Sequence, residues 1–141
     1  MGRHYDGDIS GKFWFGVQSS DAADRFGVYG EVDEDMEELY GEECAPLCYY
    51  FKEEHLPKVI EKIEEIEKFM GNKKTILDKF FDEKDSYNYE ILVEYFANEG
   101  IEFDEDDVRY ILSDYADLKL GYEIKECIEK NGSCGFEADV C

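Results

Sequence analysis

The chain has 141 residues, of which 37 are Asp or Glu and 15 are Lys or Arg, so its formal net charge is −22. A surface this anionic repels nucleic acid, anionic membranes and acidic ligands, and direct binding to any of these is not expected. Hydrophobic residues make up 43% of the chain and aromatic residues 16%, which is too rich for a disordered acidic tail. The composition predicts one folded acidic domain over residues 1–141, because compact units usually run to roughly 100–200 residues.

The length of the apolar runs and the number of cysteines predict the cellular location of the protein. No apolar stretch approaches the roughly 20 residues of a membrane helix, and the start, MGRHYD, has no run of the signal-peptide kind. An odd number of cysteines is not typical of a secreted disulfide framework. We therefore expect a protein that is not secreted, located in the cytoplasm or in a host cytoplasm or nucleus, with reduced thiols at Cys44, Cys48, Cys127, Cys134 and Cys141.

The first third of the chain has the patterns of strands and turns. A turn is predicted over residues 6–11, because this segment is rich in Asp and Gly. A capped helical turn is predicted over residues 19–24. Period-two alternation of aromatic and β-branched residues predicts strands at 12–17, at 26–32, more weakly because of its glycines, and at 47–52.

From Leu56 the apolar spacing becomes that of a helix. Pro57 suits the first turn of the first helix and Gly71 its end. Asn72 is predicted to cap a second helix, and a third helix ends at Gly100. Asp104 is predicted to cap the N-terminus of a fourth helix, where the helix dipole is positive. The predicted apolar faces are Val59, Ile60, Ile63, Ile66, Phe69 and Met70 in the first helix, Ile76, Leu77, Phe80 and Phe81 in the second, Ile91, Leu92, Tyr95 and Phe96 in the third, and Val108, Ile111, Leu112 and Tyr115 in the fourth.

Residues 120–130 fit either a helix or the first arm of a hairpin that turns at Asn131 and Gly132. We favour a helix, because the hairpin would set Glu126 directly opposite Glu137. Residues 136–140 alternate again and form a last strand. The predicted fold class is α+β, with a small antiparallel sheet built from N- and C-terminal strands and covered by four or five central helices.

Metal and catalytic patterns are incomplete. Residues 6–11 resemble the opening of a calcium loop, but the twelfth position is Val17 instead of a bidentate Glu. Cys44 and Cys48 form one loose pair, whereas a zinc signature needs two close pairs. No nucleophile or phosphate-loop motif is present. We predict no cofactor, no metal site and no catalytic residue, and a small enzyme or metal-binding protein is the third alternative.

Aromatic and acidic residues give the predicted binding site. Trp14 is predicted to point away from the buried face of its strand, and Tyr49 and Tyr50 lie on opposite faces of theirs, so one of the two tyrosines should be exposed unless helices cover both faces. Exposed aromatic rings beside carboxylates suit a partner's Arg or Lys. The predicted partner-binding residues are Trp14, Asp33, Glu34, Asp35, Glu37, Glu38, Tyr40, Glu42 and Glu43.

The opening segment, GRHYDGDISGKFWFGVQSS at residues 2–20, resembles the start of small uncharacterised acidic proteins of large DNA viruses and environmental sequences. The resemblance covers about the first thirty residues and contains no catalytic motif. It implies a virus-encoded accessory or virion-associated protein that acts inside an infected cell.

Three functions are consistent with the sequence. The first is a non-enzymatic acidic interaction protein that binds a basic protein surface, with no direct binding to nucleic acid or membrane. The second is a nucleic-acid-mimic inhibitor (a DNA mimic) that occupies the groove of a DNA- or RNA-binding protein, because arrayed carboxylates can stand in for phosphates. The third is the small enzyme or metal-binding protein of unknown reaction.

Overall fold

A computed structural model describes residues 3–13, 18–32, 35, 38–39, 41, 45–84 and 86–140. Within these residues there are five strands, β1 (His4–Gly7), β2 (Gly11–Lys12), β3 (Glu31–Val32), β4 (Leu47–Lys52) and β5 (Ser133–Ala138). They form one antiparallel sheet in the order β2-β1-β5-β4-β3. The C-terminal strand β5 lies between the N-terminal strands β1 and β4, so the sheet is built from N- and C-terminal strands, as predicted.

Each long strand alternates between a buried and a polar face. Along β5, Cys134, Phe136 and Ala138 are buried, while the residues between them are partly exposed. Phe136 stacks on Tyr49 of β4 with ring centroids 5.3 Å apart, and it meets Tyr5 of β1 edge-on at 5.7 Å. Aromatic residues therefore form the inner face of the sheet, and the partly or fully exposed residues of these strands form the outer face, a common arrangement in antiparallel sheets.

Four helices lie where the apolar spacing predicts them: α1 (Leu56–Met70), α2 (Asn72–Glu83), α3 (Tyr89–Asn98) and α4 (Glu105–Asn131). Asn88 caps α3, because its Oδ1 accepts from the backbone N–H of Ile91 at 2.8 Å. Asp104 caps α4 by accepting from the N–H of Asp107 at 2.8 Å, and the Asp107 carboxylate accepts from the Asp104 N–H at 3.1 Å. The fold class α+β is thus confirmed.

Several local predictions are corrected by the structure. Asn72 is the first residue of α2 and does not cap it; Gly71, with φ of 57°, forms the junction between α1 and α2. Phe26 ends a 3₁₀ helix (Ala22–Phe26), so the strand predicted over 26–32 is limited to β3. The turn predicted over 6–11 begins at residue 8, and of the strand predicted over 12–17 the residues 14–17 lie outside the described part of the chain.

The last helix is continuous over 27 residues, where the sequence predicted two elements. Its second half is buried beneath the sheet, including Leu118, Leu120 and Ile124, each without exposed surface. Gly121 lets the 3₁₀ helix approach: a Cβ placed on it would lie 2.6 Å from Cε1 of Phe26 and 2.9 Å from Cγ1 of Ile63. The core therefore closes around α4 at a position where a side chain does not fit.

The substitution Gly121→Ala tests this close contact. We expect the free energy of unfolding to fall by about 1–2 kcal/mol, although alanine gains roughly 1 kcal/mol over glycine in a helix interior. Urea denaturation measures the change. Gly121→Ala should cost less stability in the Phe26→Leu variant than in the parent, because the ring that the new methyl group would meet is absent. A single variant as stable as the parent would contradict the packing described here.

Candidate functional site

The predicted binding residues fall largely outside the described part of the chain. Asp35 and Glu38 are described, and both are exposed and helical. Trp14, Asp33, Glu34, Glu37, Tyr40, Glu42 and Glu43 lie outside the described residues, so their role stays a prediction. The ends of the acidic segment are nevertheless placed, because Val32 of β3 pairs with Leu47 of β4. The residues that flank this part of the chain therefore lie side by side at one edge of the sheet.

Tyr50 is the exposed aromatic residue that the alternation of β4 predicts. Tyr49 is 2% exposed on the inner face, whereas Tyr50 is 56% exposed on the outer face. Its ring lies against Gly135 of β5, since a Cβ built on that glycine would be 3.2 Å from the Tyr50 Cδ2. Because Tyr50 is exposed, the alternative that helices cover both faces of the sheet does not hold at this residue.

Beside Tyr50, carboxylates form a row across the outer face. Asp6 of β1 pairs with Glu137 of β5, Glu137 pairs with Cys48 of β4, and Cys48 pairs with Glu31 of β3. Neighbouring strands lie about 4.8 Å apart, and like charges placed directly opposite each other are destabilising. The Cys48 thiol donates to Oε1 of Glu137 at 3.7 Å. Of the three carboxylates in this row, Asp6 and Glu137 are direct neighbours, whereas Cys48 lies between Glu137 and Glu31. We call this set, with Tyr50, the outer sheet patch: Asp6, Glu31, Cys48, Tyr50 and Glu137.

Other carboxylates accept hydrogen bonds from tyrosine phenol groups. Tyr49 donates its O–H to Oδ1 of Asp24 at 2.5 Å, and Asp24 also accepts from the N–H of Gly30 at 2.9 Å. Two further phenol–carboxylate bonds of 2.5 and 2.9 Å join Tyr115 to Asp78 and Tyr122 to Glu67. Burial, followed by the adjacent carboxylate, raises the pKa of each of these tyrosines. These bonds join separate segments of the chain, so the acidic groups that accept them stabilise the tertiary structure.

One arginine holds another pair of acidic side chains. Arg25 Nη1 contacts Asp114 at 3.1 Å and Asp117 at 2.9 Å. Asp117 also accepts from the amide of Gln18, which is buried and accepts the Tyr5 O–H at 3.0 Å. Burial raises the pKa of Asp117 despite the opposing effect of Arg25 and Gln18. This network ties the first third of the chain to α4, so it too is structural.

Metal and thiol chemistry finds little support in the described residues. No three His, Cys, Asp or Glu side chains there converge as a metal site would require. Asp8 accepts from the Gly135 N–H at 2.9 Å, so the carboxylate that resembled a calcium ligand fastens the turn to β5. Cys134 is buried, and burial raises the pKa of its thiol, which disfavours the reactive thiolate.

None of the described helices is both long enough and apolar enough to span a membrane.

The comparisons with known proteins assign no family to this chain. No family model, curated protein or solved structure matches the chain. Strand alternation predicted that one of Tyr49 and Tyr50 would be exposed, but it did not predict the carboxylate row. The row depends on pairings such as that of Asp6 with Glu137, residues far apart in the chain, for which no local pattern gives a signal.

The phenol–carboxylate bonds predict loss of stability in alkali. A tyrosine with a raised pKa in the folded state stabilises the fold below its unfolded pKa of about 10, and this stabilisation disappears as the pH rises further. We expect the free energy of unfolding, measured with urea, to be lower at pH 11 than at pH 8. Tyr49→Phe should cost about 1–2 kcal/mol at pH 8 and should make the alkaline loss smaller. Equal alkaline losses in both proteins would contradict this role for Tyr49.

Proposed function

We propose that this protein is a non-enzymatic acidic interaction domain that binds a basic protein surface through the outer sheet patch. The observation that carries the proposal is the juxtaposition of Asp6 and Glu137 beside the exposed ring of Tyr50. A fold gains nothing from two carboxylates placed face to face on adjacent strands. A cation from a partner would relieve their repulsion and stack on the ring at the same time.

Arginine suits this patch better than lysine. A guanidinium group is planar, so it can stack on an aromatic face while its N–H groups reach nearby carboxylates. The Tyr50 ring lies against Gly135, and Glu137 is two residues farther along β5, within diagonal reach of an aromatic side chain. The uncovered sheet offers a flat surface on which an extended or helical basic segment can lie.

The acidic segment at residues 33–43 supports the same function. It leaves and rejoins the sheet at the β3–β4 edge, next to Glu31 of the patch. Dense negative charge beside a binding surface attracts a basic partner over long range and speeds association. We keep Trp14 and this segment as proposed contacts, and the viral resemblance of residues 2–20 suggests that the partner belongs to an infected cell. The mimic alternative predicts, in addition, that duplex DNA displaces the partner.

Binding of a fluorescent hexa-arginine peptide, followed by anisotropy in 50 mM NaCl, tests the patch. Asp6→Asn/Glu137→Gln and Tyr50→Ala should each weaken binding about threefold or more, whereas Tyr50→Phe should retain it. The matched control Glu61→Gln/Glu64→Gln removes the same charge from the exposed face of α1. Equal weakening by the control, or binding that is unchanged in 500 mM NaCl, would contradict the proposal.

Stability gives a second readout of the same residues. Because Asp6 faces Glu137, Asp6→Asn should raise the free energy of unfolding by roughly 0.2–1 kcal/mol while it weakens peptide binding. Substitution of a residue with a purely structural role would not raise the free energy of unfolding and weaken peptide binding together. Urea denaturation in low salt measures the gain, and a loss of stability would show that Asp6 supports the fold instead.

A further inference from the structure

A second exposed surface lies on the helical side of the molecule. Phe69 near the end of α1 and Tyr110 in the second turn of α4 are 73% and 72% exposed. They flank a groove of about 300 Å³ with Phe103 and Ile111 in its lining, bordered by Lys73, Asp107 and Asp114. We call this the Phe69–Tyr110 groove.

The exposure of Phe69 corrects the sequence prediction, which placed this side chain on the buried face of α1. Val59, Ile63, Ile66 and Met70 form the buried stripe. Phe69 is one position before Met70, which rotates its side chain by about 100° around the helix axis. Large apolar side chains that cluster in an exposed groove mark an interaction site more often than an isolated one does.

The stretch of chain that leads into the groove carries charge of one sign, although Lys73 borders the groove itself. Residues 86–108 contain eight acidic side chains and no Lys or Arg, and all eight are exposed. This stretch forms α3, the connection to α4 and the first turn of α4, so it leads directly into the groove. The eight residues are Glu90, Glu94, Glu99, Glu102, Asp104, Glu105, Asp106 and Asp107.

We infer that the Phe69–Tyr110 groove binds a basic amphipathic helix of a partner protein. Apolar side chains at helical spacing would enter between Phe69 and Tyr110, and Lys or Arg side chains on the flanks of that helix would face the acidic stretch. The groove side of α4 presents Asp107, Tyr110, Ile111 and Asp114 at spacings of three and four, which matches the ridges of a packed helix. A second copy of this chain is not the occupant, because its charge of −22 would repel the same carboxylates.

This inference does not depend on the outer sheet patch. The groove residues belong to α1, α2, α4 and the segment before α4, whereas the patch residues belong to the strands. Substitutions can therefore remove one surface and leave the other intact. If both surfaces bind, one copy of the protein can engage two basic segments.

The test uses an 18-residue helical peptide of Leu, Lys and Arg with leucines on one face, and a scrambled peptide of equal composition. Anisotropy should report at least tenfold tighter binding of the ordered peptide. Phe69→Ser and Tyr110→Ser should each weaken that binding about tenfold or more, as expected for loss of a buried aromatic contact. Tyr29→Ser is the matched control, because Tyr29 is 77% exposed outside the groove, and its binding should equal that of the parent.

Three results would overturn the inference. Equal affinity for the ordered and scrambled peptides would mean that only charge attracts them. Equal loss with Tyr29→Ser would mean that the groove has no particular role. A loss with Asp6→Asn/Glu137→Gln that matches the loss with Phe69→Ser would place the peptide on the sheet. Because all three groove and control positions are exposed, circular dichroism of each variant should match the parent and exclude misfolding as the cause.

Discussion

The packing of α4 beneath the inner face of the sheet determines which side chains remain available to a partner. The second half of this helix is buried, and Gly121 admits Phe26 where any side chain would collide with it. Gly132 then ends the helix in a left-handed conformation, with φ of 82°, and the chain enters β5 at the centre of the sheet. Because α4 packs against the aromatic inner face, the side chains that alternate with those aromatic residues point to the opposite face, where Tyr50 is exposed.

This arrangement divides the acidic residues into two groups with different roles. Asp24, Asp78 and Glu67 accept hydrogen bonds from phenol groups, and Asp114 and Asp117 share Arg25. On the outer face Asp6 and Glu31 are exposed and Glu137 is half-buried, and the acidic side chains of residues 86–108 are exposed. Some of the acidic side chains therefore hold the structure together, and others face solvent.

Local patterns predicted the elements well, because alternation, helical spacing and caps depend on near neighbours. The bounds of β4 and the cap at Asp104 are confirmed, and alternation predicted that one of Tyr49 and Tyr50 would be exposed, which is true of Tyr50. Phe69 was placed wrongly because the edge of an apolar helix face cannot be located without its packing partners. The row of Asp6, Glu137 and Glu31 was missed because strand order and register arise from long-range pairing.

The central claim is that the uncovered face of the sheet recognises a basic partner. Its most direct test is a ¹⁵N–¹H correlation spectrum recorded while unlabelled hexa-arginine peptide is added. The account predicts that the largest shifts fall on Asp6, Tyr50, Gly135 and Glu137, with a saturable dependence on peptide concentration. Small shifts spread over all acidic segments in proportion to their charge would contradict it.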